Sequence, residues 1–146
     1  MRRLTLLALA LPALVAGCAT IDPAAPAEPT VWPTEASLVG SWELAKVNRT
    51  ATMPVVTVTF AADGVVHGAI HCNGWGGHYR LDGSVIEFSD DIIITTAGCR
   101  IIGRHELDEE QRADQSLFRH RAVFQSQDGQ HLYFQGEDLL TFDRVP

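Results

Sequence analysis

Three Asp-Gly pairs, at 63–64, 82–83 and 128–129, each stand between two short apolar runs. Asp-Gly in that position is a strong hairpin signal, because a tight turn between strands needs positive φ, which glycine adopts freely and aspartate tolerates. Three of them in one chain predict an antiparallel meander. The flanking runs agree. VVTVTF (55–60) puts Val56, Val58 and Phe60 on one face and Thr57 and Thr59 on the other, and SWELAKV (41–47) aligns Trp42 with Leu44. Val65-Val66-His67 follows the first Asp-Gly. The second separates Tyr79-Arg80-Leu81 from Val85 to Phe88, and the third separates Ala122-Val123-Phe124 from Leu132-Tyr133-Phe134. Leu139 to Phe142 supplies a last strand.

One segment breaks this rhythm. GRHELDEEQRADQSLFRH (103–120) has no β-branched residue, and its acids come early while Arg119, His120 and Arg121 come late. That charge order suits a helix macrodipole, so one helix is expected near residues 104–120, lying across the sheet on a thin apolar stripe. About eight strands and one helix in so short a chain predict a mainly β fold. The expected form is a small antiparallel barrel or a curled sheet that leaves no long edge exposed.

The N-terminus carries a different message. Met1-Arg2-Arg3 is basic, and Leu4 to Val15 is an apolar run of about a dozen residues, the length of a secretory signal and short of the roughly 20 that span a bilayer. The run ends in Val15-Ala16-Gly17-Cys18, which resembles a bacterial lipobox; the alternative is an ordinary signal cleaved after small residues. The lipobox reading makes residues 1–17 a signal peptide and Cys18 the lipidated first residue of the mature chain. Ala19 in second place, where an aspartate would resemble an inner-membrane retention signal, points to the outer membrane, facing the periplasm. Prolines at 23, 26, 29 and 33 favour an extended tether over residues 18–36, leaving one domain at 37–146.

Without Arg2 and Arg3 the 11 basic residues become nine, against 18 acidic ones, a balance of −9 with histidines neutral. Such a chain gives no support to a nucleic-acid partner or to attraction by an anionic membrane surface. The membrane partner is reached through the lipid anchor alone.

Candidate chemistry centres on HGAIHCNGWGGHYRL (67–81). His67 and His71 are four apart, about 13 Å on a strand, too far to share a metal ion. His71 with His78 and Cys72 is the weaker alternative, across the turn; otherwise the histidines face solvent. Gly74-Trp75-Gly76-Gly77 reads as a tight corner, with Trp75 exposed at its tip or folded back over the barrel mouth, and an exposed tryptophan there is a candidate binding surface. If Cys18 carries lipid, Cys72 and Cys99 form an even pair in an exported protein, and a structural disulfide is expected rather than a redox pair, since neither lies in Cys-x-x-Cys. RHELDEE (104–110) lacks the second histidine of a zinc-protease helix, because residue 109 is Glu109. No nucleophile elbow, phosphate loop or dinucleotide fingerprint occurs, and Asp90-Asp91 does not read as a catalytic pair. No enzymatic activity and no cofactor are expected.

Gly68, then Cys72-Asn73 with Gly77 and Tyr79, then Thr95 with Cys99, then Glu106 opening a helix, resemble in order and separation the META domain, or HslJ-like, family. Trp42, Leu44, Phe60, Leu132 and Leu139 to Phe142 support the resemblance, which covers roughly residues 38–143. It implies a lipocalin-like barrel with a helix and an envelope protein of stress response or novobiocin tolerance. It also implies Cys72 and Cys99 as the structural pair, with Asn73, Gly77 and Tyr79 as the corner beside it. No catalytic residue comes with the family. Ala97-Gly98 departs from the usual methionine before a small residue. The partner is then an unidentified envelope protein or a small apolar ligand. A lipocalin-like carrier predicts a cavity lined by Val56, Val58, Phe60, Ile70 and Phe88; a metal- or redox-active protein predicts chemistry at His71, Cys72 and His78.

Overall fold

The Asp-Gly signals do mark hairpins, through a different geometry at each partner. In the computed structural model, which describes residue 26 and residues 28–52, 56–96, 117–119 and 122–146, none of the three aspartates takes positive φ. Gly64 does, at 83°, closing a turn in which the Gly64 N–H donates to the Ala61 carbonyl (3.2 Å). Aspartate works through its carboxylate instead. Asp63 accepts from the Val65 N–H (3.1 Å) and Asp128 from the Gln130 N–H (2.9 Å), so each side chain holds its own turn.

The strands are β1 (Thr30–Val31), β2 (Gly40–Val47), β3 (Thr50–Ala51), β4 (Val56–Phe60), β5 (Val65–Ile70), β6 (Asn73–Asp82), β7 (Val85–Phe88), β8 (Ile93–Ile94), β9 (Ala122–Ser126), β10 (His131–Gln135) and β11 (Leu139–Arg144). They form one 11-stranded sheet in the order β1-β9-β10-β11-β2-β4-β5-β6-β7, with β3 on β2 and β8 on β6. The expectation of about eight strands missed the two-residue pieces, which carry too few residues to show a period.

The sheet curls without closing. Its ends approach where the Val123 N–H of β9 donates to the Ser84 carbonyl beside β7 (2.6 Å), but no ladder joins β7 to β9. A closed barrel is therefore corrected to an open curled sheet. The short β1 and β7 leave too few backbone groups at the seam for a continuous pairing.

Inside the curl lies one apolar core. Trp42, Leu44, Val56, Val58, Phe60, Val66, Leu132, Phe134, Leu140 and Phe142 are all fully buried, as the alternation in β2 and β4 requires. Burial of this kind stabilises by roughly 1.5–3 kcal/mol per large side chain. β10 and β11 differ. Their apolar runs do not alternate, and Tyr133, Leu139 and Thr141 are buried on the outer face as well.

Against the edge of that face lies the segment expected to be an extended tether. Residues 28–34 run along the β9 edge of the sheet. Thr30 and Val31 pair with Ser126 and Gln125, Glu28 accepts a hydrogen bond from the Tyr133 hydroxyl, and Trp32 stacks on Phe124 with ring centroids 4.8 Å apart. The chain then enters a single helical turn, α1 (Glu35–Leu38), whose Thr34 cap and Ser37 bond each other's backbone N–H reciprocally. Proline spacing reports extended backbone but not whether that backbone is docked. The helix expected near 104–120 lies almost wholly outside the described residues. Of it, Leu117 is buried in the core and Phe118 packs at 5.1 Å on Trp75.

Candidate functional site

The histidine-rich stretch assembles differently from its sequence reading. Its hairpin turn is His71-Cys72, closed by the Ile70–Asn73 pair, with His71 at φ 55°. The glycines that looked like a corner lie inside β6. Gly68 and Gly77 are there for close approach: a Cβ on Gly68 would sit 1.9 Å from the Thr57 carbonyl oxygen and 3.0 Å from the Trp75 ring, and one on Gly77 would meet Ile92 at 2.7 Å. Trp75 crosses Gly68 into the core and is only 4% exposed, so it is not the exposed loop tip and offers no binding surface. Its indole N–H is buried with no hydrogen-bond partner among the described residues, between the rings of Phe88 (5.9 Å) and Phe118 (5.1 Å).

The turn position also separates the histidines. His78 pairs with Val65, five residue pairs from the Ile70–Asn73 end, which is roughly 17 Å along the strands. His71 and His78 are therefore not brought together as a metal pair. Among the described residues no three His, Cys, Asp or Glu side chains converge as a metal cradle.

His78 is engaged elsewhere, its Nδ1 lying 2.9 Å from Asp91. The Ser89 hydroxyl donates to the same carboxylate and accepts from the His78 backbone N–H (3.1 Å). Those contacts, the hydroxyl's first, hold the Asp91 carboxyl below the usual carboxylate range. Serine, histidine and aspartate are present, but the hydroxyl faces the carboxylate rather than the imidazole. A nucleophile needs the base on its own proton, so this cluster is built to tie the β7–β8 loop to β6.

Of the motif residues, Asn73 opens β6 and Tyr79 lies on it, edge-on to Phe60 at 4.9 Å with its hydroxyl donating to the Ala61 carbonyl (3.1 Å). Burial, then the charges of Glu35 and Asp63, raise the Tyr79 phenol above its ordinary value. Cys72 stands in the hairpin turn, whereas Cys99 and Cys18 lie outside the described residues, as does the 104–110 motif.

The feature that the sequence reading missed is on the outer face of β2, β10 and β11. A groove of about 360 Å³ runs beside the docked strap. Tyr133, Leu139 and Thr141 line it, with Lys46 and Arg49 as its basic groups and His131, held at 2.7 Å by Asp143, beside them. Asn48, at φ 55°, builds one wall by bonding both the Leu139 N–H (3.1 Å) and Asp138 (2.8 Å). Burial, then the bond to Glu28, push the Tyr133 phenol far above its ordinary value. The non-alternating runs Leu132-Tyr133-Phe134 and Leu139 to Phe142 were the signal that something covers this face.

The META domain family model matches residues 36–145. The chain belongs to the META domain family. The fold is also that of two solved structures. A protein from Burkholderia xenovorans, determined by NMR, aligns at 24% identity and TM-score 0.54, over 85% of this chain and 97% of its own. A DUF4847 family protein from Bacteroides vulgatus, determined by crystallography, aligns at 15% identity and TM-score 0.51, over 76% of this chain and 96% of its own. No curated protein matches the chain. Within the META domain the Gly68, Gly77 and Tyr79 positions have the packing roles described above. The docked strap at residues 28–34 lies ahead of the matched region.

Proposed function

We propose that this META-domain chain is a lipid-anchored protein of the bacterial envelope, held at the outer membrane and facing the periplasm. In this reading it has no enzymatic chemistry and acts by binding, in an envelope stress response or in tolerance of an antibiotic such as novobiocin. The supporting observation is the course of the N-terminal segment. Residues 28–32 pair with the edge of β9, reach Tyr133 on β10 and border the groove that carries Lys46 and Arg49. A binding surface placed beside its own anchor suits a protein that works at a membrane.

The test is complementation of a strain lacking the protein under novobiocin. Wild type is expected to restore tolerance, and Cys18→Ser to move the protein out of the membrane fraction and lose alkyne-palmitate labelling. Lys46→Glu with Arg49→Glu is expected to give a folded, anchored protein that does not restore tolerance. Full complementation by that double variant would remove the groove from the function.

A second reading, a carrier of a small apolar molecule, has one observation in its favour, the Trp75 indole N–H, buried among aromatic rings with no partner among the described residues. Val56, Val58, Phe60 and Ile70, expected to line its cavity, are packed in the core cluster instead, with Phe88 against it. Quenching of Trp75 emission on titration with an apolar fluorescent fatty-acid probe would revive it.

A further inference from the structure

Trp32 is 60% exposed although it is among the largest apolar side chains of the protein, and Val31 beside it is 44% exposed. Among the described residues one face of the indole is covered, by its stack on Phe124 (interplanar angle 28°). The shallow hollow next to this patch carries one acid and one base among uncharged polar groups. Gln125, Gln127 and Gln130 line it. Its two charged members are already engaged: Asp128 accepts from Ser126 (2.5 Å) and Gln130, and Arg144 donates to backbone carbonyls. In a chain with 18 acidic residues, a rim of glutamines whose one acid, Asp128, is matched by one base, Arg144, is a local exception.

The position of the patch in the chain completes the argument. Glu28 is pinned to Tyr133, and it stands ten residues after Cys18. Ten residues reach at most roughly 33–36 Å when fully extended, so an anchor at Cys18 keeps the strap within that distance of the bilayer. Tryptophan is the side chain that settles at the membrane–water interface, its ring among the acyl-chain ends and its N–H among the headgroups.

We infer that Val31, Trp32 and Phe124 form a second, interfacial membrane contact, which lays the strap face of the domain on the neutral headgroup region of the bilayer. The inference rests on the lipid-anchor reading. It gives the strap a purpose beyond spacing: pairing with β9 and the bond to Tyr133 fix how the domain faces its anchor, and a weak second contact is enough once the acyl chains supply the first.

The protein carries its own reporter. Trp42 and Trp75 are buried, at 0% and 4% exposure, so changes in tryptophan accessibility belong to Trp32. The acylated full mature protein is reconstituted in vesicles of phosphatidylcholine and phosphatidylethanolamine, with and without brominated acyl chains. The expected result is a blue shift of emission on reconstitution, loss of acrylamide quenching, and quenching by the brominated lipid, all three absent in Trp32→Phe. An acylated, vesicle-bound protein whose Trp32 stays open to acrylamide and untouched by bromine overturns the membrane contact while leaving the anchor intact. Shielding from acrylamide without bromine quenching also overturns it, and assigns the patch to a second copy of the chain. A mature protein whose mass carries no acyl chains overturns the anchor and the contact together.

Discussion

The Arg144 guanidinium lies 4.1 Å from the centre of the Trp42 ring, and the two side chains together hold α1 on the sheet. Trp42 donates its indole N–H to the Leu38 carbonyl (2.9 Å), while Arg144 donates to the carbonyls of Ser37 (2.6 Å), Val39 (3.1 Å) and Gly129 (2.9 Å). A one-turn helix has no internal stability to speak of, and its end carbonyls need partners. These two residues, directly paired across β2 and β11, supply them.

Arg144→Ala removes three charge-assisted hydrogen bonds and the ring contact, and is expected to cost about 2–4 kcal/mol. Arg144→Lys keeps the charge without the planar fork and is expected to recover less than half of the loss. Urea unfolding of the two variants measures both. A midpoint shared by wild type and Arg144→Ala would mean that the helix needs no such support.

Gly68→Ala puts a methyl group against the Thr57 backbone, which cannot yield as a side chain could. The expected destabilisation is about 3 kcal/mol or more, seen as loss of soluble protein or a large fall in melting temperature. Gly74→Ala is the control in the same hairpin. Its new Cβ would meet nothing closer than 3.9 Å, and that variant is expected to melt within a few degrees of wild type.

Tyr133 titrates above its ordinary range when folded, so the folded state keeps a proton that the unfolded chain releases near pH 10. Stability from this residue is therefore full below pH 10 and falls as the pH rises beyond it, toward the folded value. Tyr133→Phe is expected to flatten that alkaline decline and, by removing the Glu28 contact, to make the strap easier to cleave. Melting curves across the alkaline range and limited proteolysis read the two effects. Asp91 has the opposite sign: its folded value is depressed, so its contribution is present above about pH 4 and fades as the pH falls through the lowered value.

Cys72 stands at the exposed tip of the β5–β6 hairpin. A bridge to Cys99 would close a loop of about 27 residues and stabilise by roughly 3–4 kcal/mol on the loop-entropy account. The intact mass of the native protein is expected to be two hydrogens below that of the reduced form, with a lower melting temperature after reduction. Two free thiols in native protein would leave the hairpin held by its ladder alone.

The sequence by itself determined the local chemistry of this protein. The Asp-Gly turns, the alternating faces of β2 and β4, the META motif and the antiparallel order all depend on residues close together in the chain, where turn geometry and a period of two leave a visible pattern. Only the tertiary structure decided what lies far apart. That the strap docks, that Trp75 is buried against Gly68 rather than exposed, that His71 and His78 are apart, and that Tyr133 and Thr141 line a groove each depend on which segment covers which face. Polyproline-like spacing is the same in a free tether as in a docked strand, and a tryptophan among glycines reads the same whether a neighbouring glycine has made room for it or not. Local sequence sets the backbone's options, and long-range burial selects among them.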